Sequence, residues 1–272
     1  MTNTPNIEAV KSKMKSTWES GDYGAFAKYM EPGAIEILAS WNIAPGEKML
    51  DVGCGAGQTA IPAAKNGVHV VGVDIASNLI EQAKNRAQAE GVDAKFEEGD
   101  AEQLNFPDAS FDVVISLIGA MFAPQPEKVA SELLRVCRPG GRIIMGNWTP
   151  QGLPGQMFKT IGKYIPPPPG VQPPPLWGDE ETVRQRLGEG TSSLKLTRRL
   201  YPSWHYPFPP EKVVDFFGQF FGPIHRAFNT LDEKSKTAIR QDIENLFSQF
   251  NLATDGTTLL KAEFLEVEAT RI

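Results

Sequence analysis

The sequence predicts an α/β protein with a seven-stranded, mostly parallel sheet and helical lid insertions. Between residues 47 and 148, short apolar runs of strand character alternate with amphipathic runs of helical spacing. Such alternation is typical of βαβ units, whose strands lie parallel. The first run also ends in the glycine-rich segment Gly53–Gly57, which is typical of the tight strand-to-helix turn of such a unit.

The composition is that of an ordinary globular protein. The chain has 272 residues, of which 41% are hydrophobic and 22% charged, and its net charge of -6 gives no general attraction for nucleic-acid phosphates. A basic cluster at Lys195, Arg198 and Arg199 is interpreted as a solvated strand face. Because no run approaches a membrane-spanning length and the N-terminal segment is polar, we expect a cytoplasmic protein without a membrane partner.

The sequence offers no pattern of metal ligands. Its two cysteines, Cys54 and Cys137, are far apart in the chain. They form neither the spacing of a zinc site nor a disulfide framework. We therefore expect no bound metal, and a structural role for both thiols.

Two helical stretches are predicted before the first strand. Residues 7–19 place apolar side chains at helical spacing, and a second amphipathic stretch runs from Tyr23 to Leu38. Neither stretch has a strand of its own to pack against. We therefore predict that residues 1–44 form a helical cap over the following part of the chain.

Residues 45–148 are predicted to form the ligand-binding core. Its helices are expected to follow the first strand as far as Asn66, the second from an N-cap at Ser77, and the fourth from Pro126. The five predicted strands of this core are residues 47–52, 69–74, 94–98, 111–116 and 142–146.

Residues 149–272 are predicted to complete both the lid and the sheet. The stretch 150–178 is rich in proline and glycine, which excludes a central strand and favours an ordered loop packed over the core. The final strand, 258–272, is expected to insert antiparallel near the sheet edge. Before it we predict a helix at 179–188, a strand at 194–200, and helices at 210–221 and 231–250. The predicted lid combines residues 1–44, 149–178 and 202–256.

The glycine turn and the acid that follows it predict a site for a nucleoside-containing ligand. Glycines let the backbone approach a ligand closely, and the next helix presents free N–H groups. Asp74, at the end of the second strand, suits the hydroxyls of a ribose. These two features alone also fit a dinucleotide site, because Gly55–Ala60 matches its glycine pattern. A nucleotide-dependent oxidoreductase therefore stays open on this motif.

Five motifs in register resemble the class I S-adenosylmethionine (SAM)-dependent methyltransferases, in particular the bacterial methyltransferase type 11/25 group. They are Leu50–Gly57, Val71–Asp74, Gly99–Leu104, Phe111–Val114 and Arg135–Gly141. The resemblance covers residues 45–148 strongly. It implies a Rossmann-like fold, SAM as the cofactor, and transfer of a methyl group to an oxygen, nitrogen, carbon or sulfur atom of a small molecule.

The resemblance also implies which residues hold SAM. The glycines would line its methionine part above Asp51, Asp74 would take the ribose, and Asp100 would bind the adenine edge. Carboxylates and carbonyls suit a ligand with a cationic sulfonium and ammonium. The implied cofactor positions are Asp51, Gly53, Gly55, Gly57, Asp74, Ile75, Asp100, Ala101, Ser116 and Leu117.

The sequence shows no general base near the expected methyl position. The segment Gly119–Pro124 has no titratable side chain, whereas related enzymes that methylate ring carbons or flat aromatic substrates often have a histidine there. Methyl transfer does not require a base, because alignment of the reactants supplies much of the rate. A SAM-binding protein without catalysis is the second alternative.

Candidates for catalysis and for acceptor binding come from the predicted lid and from the segment after the fourth strand. The catalytic candidates are His205, His225 and Tyr23, for each of which a structural role is the preferred interpretation. The aromatic and apolar character of the acceptor candidates indicates a partly apolar acceptor. These candidates are Tyr23, Met121, Phe122 and Trp177.

Overall fold

The computed structural model describes residues 6–272, so the first five residues of the predicted cap lie outside the described range. The strands of this part of the chain are β1 (Lys48–Val52), β2 (His69–Asp74), β3 (Ala94–Glu98), β4 (Phe111–Leu117), β5 (Cys137–Trp148), β6 (Thr191–Leu200), β7 (His205–Tyr206), β8 (Thr258–Leu259) and β9 (Glu263–Arg271). Its helices are α1 (Ile7–Trp18), α2 (Tyr23–Ala27), α3 (Glu31–Ser40), α4 (Ala60–Lys65), α5 (Ser77–Ala89), α6 (Pro126–Val136), α7 (Leu153–Tyr164), α8 (Glu180–Leu187), α9 (Pro210–Phe220), α10 (Gly222–Thr230) and α11 (Glu233–Gln249).

The main sheet has seven strands in the order β3-β2-β1-β4-β5-β9-β6. The strands from β1 to β5 are parallel, and β9 lies antiparallel between β5 and β6. This confirms the predicted α/β fold with a seven-stranded, mostly parallel sheet. The central strands are apolar because helices cover the sheet on both faces. Met49, Leu50 and Val113 are accordingly fully buried.

The strand order places a crevice beside β1. Its neighbours β2 and β4 lie on opposite sides of it. The chain therefore runs from β1 through β2 and β3 towards one edge of the sheet and then crosses back to β4 on the other side of β1. Ligands of open α/β sheets bind at such a switch point, outside the carboxyl ends of the strands. The glycine turn after β1 lies at this point.

The described part of the N-terminal cap, residues 6–44, contains three helices, where the sequence indicated two stretches. The second stretch is divided into α2 and α3, with Pro32 in the first turn of α3. Proline is favoured there because its fixed φ suits the helix and its missing N–H costs no hydrogen bond. Asp22 caps α2 by accepting from the Ala25 N–H at 3.0 Å.

The proline-rich stretch 150–178 is partly helical, so its prediction as a loop was wrong for α7. Pro154 stands in the first turn of this helix, where proline is tolerated, and Met157 and Ile161 face the core. The prolines at 166–169 follow the helix and do not interrupt it. A short 3₁₀ turn at Pro174–Gly178 returns the chain towards the sheet.

Two other local predictions need correction, and one helix was missed. Ser77 is not the N-cap of α5, because Ala76 occupies that position and the Ser77 hydroxyl donates to Glu19 at 2.8 Å. The predicted final strand is divided into β8 and β9 by residues 260–262. The helix α10 was not predicted from the sequence.

The basic cluster on β6 is paired with acidic residues. Lys195 donates to Glu268 at 2.6 Å, and Arg199 donates to Glu266 at 2.6 Å. Both acids belong to the neighbouring strand β9. The cluster is therefore neutralised within the sheet.

Two general features of the described residues bear on the kind of site to be sought. Within residues 6–272, no helix combines the length and the apolar character needed to cross a membrane. The same range holds no group of three or more histidine, cysteine, aspartate or glutamate side chains suited to a metal ion. Cys54 and Cys137 are free and buried.

Candidate functional site

A deep cleft lies at the carboxyl ends of β1, β2 and β4, under the N-terminal cap. It encloses about 1120 Å³ of empty space, including its open mouth. The core contributes the glycine turn, the end of β2, and the loops that follow β3 and β4. The cap contributes residues of α1, α2 and α3. The cleft therefore occupies the switch point that the strand order defines.

The glycines of the turn have different structural roles. Gly53 and Gly55 have φ values of +73° and +54°, which L-residues rarely adopt. A Cβ atom on Gly53 would lie 2.5 Å from the Cα of Gly119, so the turn and the loop after β4 require this glycine for close contact. A Cβ atom on Gly55 would meet only the tip of Gln58, at 3.0 Å, and the ring of Tyr23. Gly55 therefore leaves space in the cleft itself.

Asp74 joins the glycine turn to the start of α5. One carboxylate oxygen accepts from the Gly55 N–H and the other from the Ala76 N–H, both at 2.9 Å. Burial raises the pKa of Asp74, and these backbone hydrogen bonds oppose that increase. The side chain also lines the cleft, so its oxygens can accept further hydrogen bonds from a ligand.

Asp51 lies behind the glycine turn and does not line the cleft. Its side chain is buried, and the Thr59 hydroxyl donates to it at 2.5 Å. Burial raises the pKa of Asp51 to about 7, Thr59 opposes this shift, and the charge of Asp74 adds to it. A cationic group nearby would favour the ionised form of Asp51.

Asp100 is tied to the cap by an ion pair. Lys11 of α1 donates to Asp100 at 2.6 Å and lies 2.6 Å from Glu102. Glu102 in turn accepts from the backbone and side chain of Gln125, each at 2.6 Å. The loop after β3 is thus held from both sides of the cleft.

The end of β4 carries a strained turn. Ile118 has a φ of +60°, which is unfavourable for a β-branched residue. Ser116 supports the turn, because its hydroxyl donates to the Val52 carbonyl at 2.6 Å and accepts from the Ala120 N–H at 2.9 Å. Leu117, Ile118 and the residues after them line the cleft. Sequence reasoning did not identify this strain, because nothing in an Ile-Gly pair indicates it.

Most of the predicted cofactor positions meet in the cleft. Three of the ten, Asp51, Gly57 and Ser116, lie behind its surface and support the residues that line it. The seven that line it are Gly53, Gly55, Asp74, Ile75, Asp100, Ala101 and Leu117.

A second, apolar cavity adjoins the cleft. This inner cavity is small, with about 20 Å³ that the centre of a water molecule can occupy, and it shares five lining residues with the cleft. At their border, the ring of Trp18 lies 4.9 Å from that of Phe122 and 5.7 Å from that of Tyr23. Phe158 of α7 and Phe221, after α9, extend the aromatic wall inward. The shared residues are Trp18, Tyr23, Met30, Ile118 and Phe122.

Some acceptor and catalytic candidates lie elsewhere. Tyr23 and Phe122 line both cavities, whereas Met121 and Trp177 are buried in the core and line neither. Trp177 instead packs against the Arg186 guanidinium, 4.6 Å from the ring centre. These two positions are therefore removed from the candidate site.

The two histidine candidates are also removed, because each has local partners away from both cavities. The His205 ring lies 3.0 Å from the Thr257 hydroxyl, and the His225 ring lies 3.0 Å from the Gly218 carbonyl. Among the residues that the structure describes, no histidine lines either cavity. Tyr23 lies in the site, but burial, followed by the charge of Asp74, raises its pKa and disfavours the phenolate that a base would need.

The cap contributes cleft residues that sequence reasoning missed. Glu31 of α3 lines the cleft and pairs with Arg86 of α5. Arg86 also donates to the Ala56 carbonyl in the glycine turn at 2.8 Å. Tyr201 also lines the cleft and donates to the Met30 carbonyl at 2.9 Å. Glu31 lies within the predicted amphipathic stretch from Tyr23 to Leu38, but no local pattern links it to a turn more than 20 residues away.

The charges lining the cleft suit a cationic ligand. The charged side chains among its described lining residues are those of Lys11, Glu31, Asp74 and Asp100. Lys11 pairs with Asp100, and Glu31 pairs with Arg86. Among these described residues, the carboxylate of Asp74 therefore has no cationic partner and is available to a sulfonium or ammonium. The space left open at Gly55 also suits close approach of a ligand.

Comparison with known proteins identifies the family of the chain. Residues 50–145 match the methyltransferase domain family. The chain belongs to the class I SAM-dependent methyltransferases. An uncharacterized protein of Mycobacterium tuberculosis is 35% identical over 259 residues, which cover 94% of this methyltransferase and 93% of that protein. The relationship therefore includes the cap and the C-terminal part as well as the core.

Two further proteins are similar to this methyltransferase. The 27-O-demethylrifamycin SV methyltransferase of Amycolatopsis mediterranei is 39% identical over 129 residues, which cover 44% of this chain and 47% of that one. The structure of Haemonchus contortus phosphoethanolamine N-methyltransferase 2 in complex with S-adenosyl-L-methionine superimposes with a TM-score of 0.57. It is 17% identical, and the match covers 88% of this chain and 52% of that one, so this likeness concerns the fold alone.

Proposed function

We propose that this methyltransferase binds SAM in the cleft and transfers its methyl group to a small molecule. The observation that carries the proposal is the charge of the cleft. Its lining lysine, Lys11, is already paired, while Asp74 faces the space beside Gly55 without a cationic partner among the described residues. That arrangement suits a cationic nucleoside ligand, and the match of residues 50–145 to the methyltransferase domain family favours SAM over a dinucleotide.

Each part of the ligand has candidate partners in this chain. Asp74 would accept hydrogen bonds from the ribose hydroxyls, and the glycine turn would lie along the methionine part. Asp100 and the backbone of Ala101 would bind the adenine edge. Asp51, behind the turn, would stabilise the ammonium through its charge. When bound, SAM supplies an electrophilic methyl group on a cationic sulfur.

The catalytic contribution of the protein would be alignment and exclusion of water. The aromatic rings of Trp18, Tyr23 and Phe122 stand between the cleft and the inner cavity, where they can fix the direction of approach of an acceptor. Holding reactants in line supplies a large part of the rate of such a reaction. We propose that the lid consists of the cap, the stretch 149–178 and the stretch 202–256.

A small-molecule acceptor is supported by the position of the cleft under the N-terminal cap, whose residues form part of its lining. The name of the Amycolatopsis relative also describes a small-molecule acceptor. A protein or nucleic-acid acceptor would require an open surface beside the donor.

Calorimetry with the purified protein tests the proposal. We expect binding of SAM and S-adenosylhomocysteine and no binding of NAD. Incubation with SAM and an acceptor panel should release S-adenosylhomocysteine. Binding of NAD in place of SAM would support the oxidoreductase alternative, and SAM binding without turnover on any acceptor would favour a non-catalytic binding protein.

A further inference from the structure

We propose that Glu31 of the N-terminal cap binds the ammonium group of the methyl donor, and that the cleft selects the donor by this ammonium and not by the carboxylate beside it. The inference rests on the proposed function and adds a specificity-determining residue to the same site. It depends on the position of Glu31, on the carboxylate oxygen that its ion pair leaves free, and on the charges of the other described residues that line the cleft.

Glu31 stands in the first turn of α3, at the wall of the cleft. The residue before it is held by Tyr201, whose hydroxyl donates to the Met30 carbonyl at 2.9 Å. Two positions further on, Gly33 packs so closely on the segment after β6 that a Cβ atom there would clash with the Pro202 carbonyl. Close packing on both sides leaves the start of α3 little room to move. The Glu31 side chain is therefore presented to the cleft from a fixed backbone position.

One guanidinium group joins Glu31 to the glycine turn. Arg86 of α5 pairs through Nη2 with Oε1 of Glu31, and its Nη1 donates to the Ala56 carbonyl at 2.8 Å. Because both nitrogens belong to one planar group, the carboxylate and the turn lie side by side. Gly55, next to Ala56, lines the cleft and leaves space in it. Glu31 therefore lies where the methionine part of the donor is proposed to follow the turn.

The ion pair with Arg86 uses one oxygen of the Glu31 carboxylate. Within residues 6–272, Oε2 of Glu31 has no hydrogen-bond donor. Asp74 and Asp100 are proposed for the ribose and the adenine, and Asp51 does not line the cleft. Glu31 is therefore the lining carboxylate that is left for the ammonium. An ammonium group suits it, because it brings up to three N–H donors and the opposite charge.

The carboxylate of the donor finds no comparable partner among the described residues. Lys11 is the cation among those that line the cleft, and it is paired with Asp100. Arg86 does not line the cleft, and its terminal nitrogens are bonded to Glu31 and Ala56. A donor carboxylate would therefore depend on neutral donors and water, which form weaker hydrogen bonds than a cation does. The ammonium should accordingly contribute more to binding than the carboxylate.

Four unreactive ligands separate the two charged groups of the donor tail. S-adenosylhomocysteine carries both groups, and methylthioadenosine carries neither. The decarboxylated form of S-adenosylhomocysteine carries the ammonium alone, and its deaminated form carries the carboxylate alone. Titration calorimetry measures the affinity of the wild-type protein for each ligand. We expect loss of the ammonium to weaken binding by about tenfold or more, and loss of the carboxylate to change it by less than about threefold.

Substitution of Glu31 identifies the residue responsible for this preference. Glu31→Gln keeps the shape of the side chain but removes its charge. It should weaken binding of S-adenosylhomocysteine and of its decarboxylated form about tenfold, and leave the affinity for the two ligands without an ammonium within about twofold of wild type. A purely structural role, through the pair with Arg86, would instead weaken all four ligands equally.

Two further variants complete the series. Glu31→Ala also removes the carboxylate and gives the same comparison of ligands if Glu31→Gln does not fold. The matched control is Glu36→Gln, at an exposed position on the same helix, and it should change none of the four affinities.

The outcomes separate this inference from the proposed function. Equal wild-type affinity for S-adenosylhomocysteine and its deaminated form, or an equal effect of Glu31→Gln on all four ligands, would overturn the inference alone. A greater loss of affinity on removing the carboxylate than on removing the ammonium would also overturn it. Failure of SAM and S-adenosylhomocysteine to bind would overturn the proposed function and the inference with it. Weaker binding by Glu31→Gln of only those ligands that carry the ammonium, SAM included, would support both.

Discussion

The hydroxyl of Thr59 donates to a carboxylate oxygen of Asp51 at 2.5 Å, behind the glycine turn. Asp51 is 1% exposed, and burial raises its pKa to about 7. Thr59 opposes this shift and the charge of Asp74 adds to it. Asp51 therefore changes its charge near neutral pH, at a position where the proposed ligand carries a positive charge.

We predict a pH-dependent stability difference between wild type and Asp51→Asn. The pKa of Asp51 is higher in the folded state, about 7, than the value of roughly 4 expected in the unfolded state. Its favourable contribution is thus complete below pH 4 and is lost as the pH rises towards 7. The free energy of unfolding of Asp51→Asn, minus that of wild type, should rise by on the order of 1.4 kcal/mol per pH unit in this window and then level off.

Chemical denaturation between pH 4 and 9 measures this difference. Thr59→Val is the informative control, because loss of the donated hydrogen bond should raise the pKa of Asp51 further and extend the window to higher pH. Parallel pH profiles for wild type and Asp51→Asn would contradict the assignment. In wild type, SAM binding near pH 7 should also release protons, which calorimetry detects by comparing buffers with different ionisation enthalpies.

The second prediction concerns Asp74→Asn. This variant keeps the shape of the side chain, but it removes the charge and replaces one acceptor oxygen with an NH₂ donor that faces the N–H of Gly55 or Ala76. SAM affinity should fall by about 2–3 kcal/mol through the loss of charge-assisted hydrogen bonds, and the variant should be less stable than wild type. Asp74→Ala should also lower the free energy of unfolding, because the N–H groups of Gly55 and Ala76 lose their acceptor. Titration calorimetry and denaturant unfolding measure the two effects.

The control for Asp74 is Asp112→Asn. Asp112 pairs with Arg138 at the start of β4 and does not line the cleft, so this variant should bind SAM like wild type. If the Asp74→Asn protein folds and binds SAM with wild-type affinity, Asp74 is not a ligand-binding residue.

The third prediction separates the roles of Gly55 and Gly53. Gly55→Ala should fold, because its Cβ meets only the flexible tip of Gln58, although the positive φ costs about 1–2 kcal/mol. The added methyl group would occupy ligand space, and SAM affinity should fall at least tenfold. Gly53→Ala should lose about 3 kcal/mol or more of stability, because its Cβ would clash with the backbone of Gly119. Comparable SAM affinity in Gly55→Ala and wild type would place the ligand away from the turn.

The sheet and the core of the site were predictable because their determinants are local. The β4 run Phe111–Leu117 is apolar enough to be buried on both faces, and the glycine turn with Asp74 encodes its own geometry in a few residues. The helix α7 was missed because proline composition was given more weight than the position of Pro154. A proline in the first turn is compatible with a helix.

The cap contacts could not be predicted for a different reason. Lys11 and Asp100 are 89 positions apart, and nothing in either segment specifies the other. Composition identified the aromatic residues of the lid but not which of them face the cleft. Phe122 lines both cavities, whereas its neighbour Met121 is buried in the core, because a single 3₁₀ turn determines their directions.

The last prediction concerns the lid as a unit. The cap is attached to the core by Lys11, which lies 2.6 Å from both Asp100 and Glu102. It is attached to the lid segment 202–256 by the Asp22 N–H, which donates to the Phe220 carbonyl at 3.2 Å, and by Arg226, which donates to Thr17 at 3.0 Å. A ligand bound to Asp100 would therefore stabilise both the cap and the lid segment 202–256.

We expect SAM or S-adenosylhomocysteine to slow hydrogen exchange in residues 10–30 and in part of 150–178 or 202–225. Lids are drawn from the less stable parts of a fold, so a bound ligand stabilises them most. Lys11→Met should speed exchange in the cap of the ligand-free protein and reduce the protection that the ligand gives. Lys13→Met, at an exposed position on the same helix, should have neither effect.

Deletion of residues 1–30 should reduce catalysis more than it reduces the stability of the sheet. Mass spectrometry with and without S-adenosylhomocysteine tests the lid directly. Protection confined to residues 51–57, 74 and 100–117 would mean that donor binding does not act on the cap, and the walls of the acceptor site would then have to be ordered by the acceptor itself.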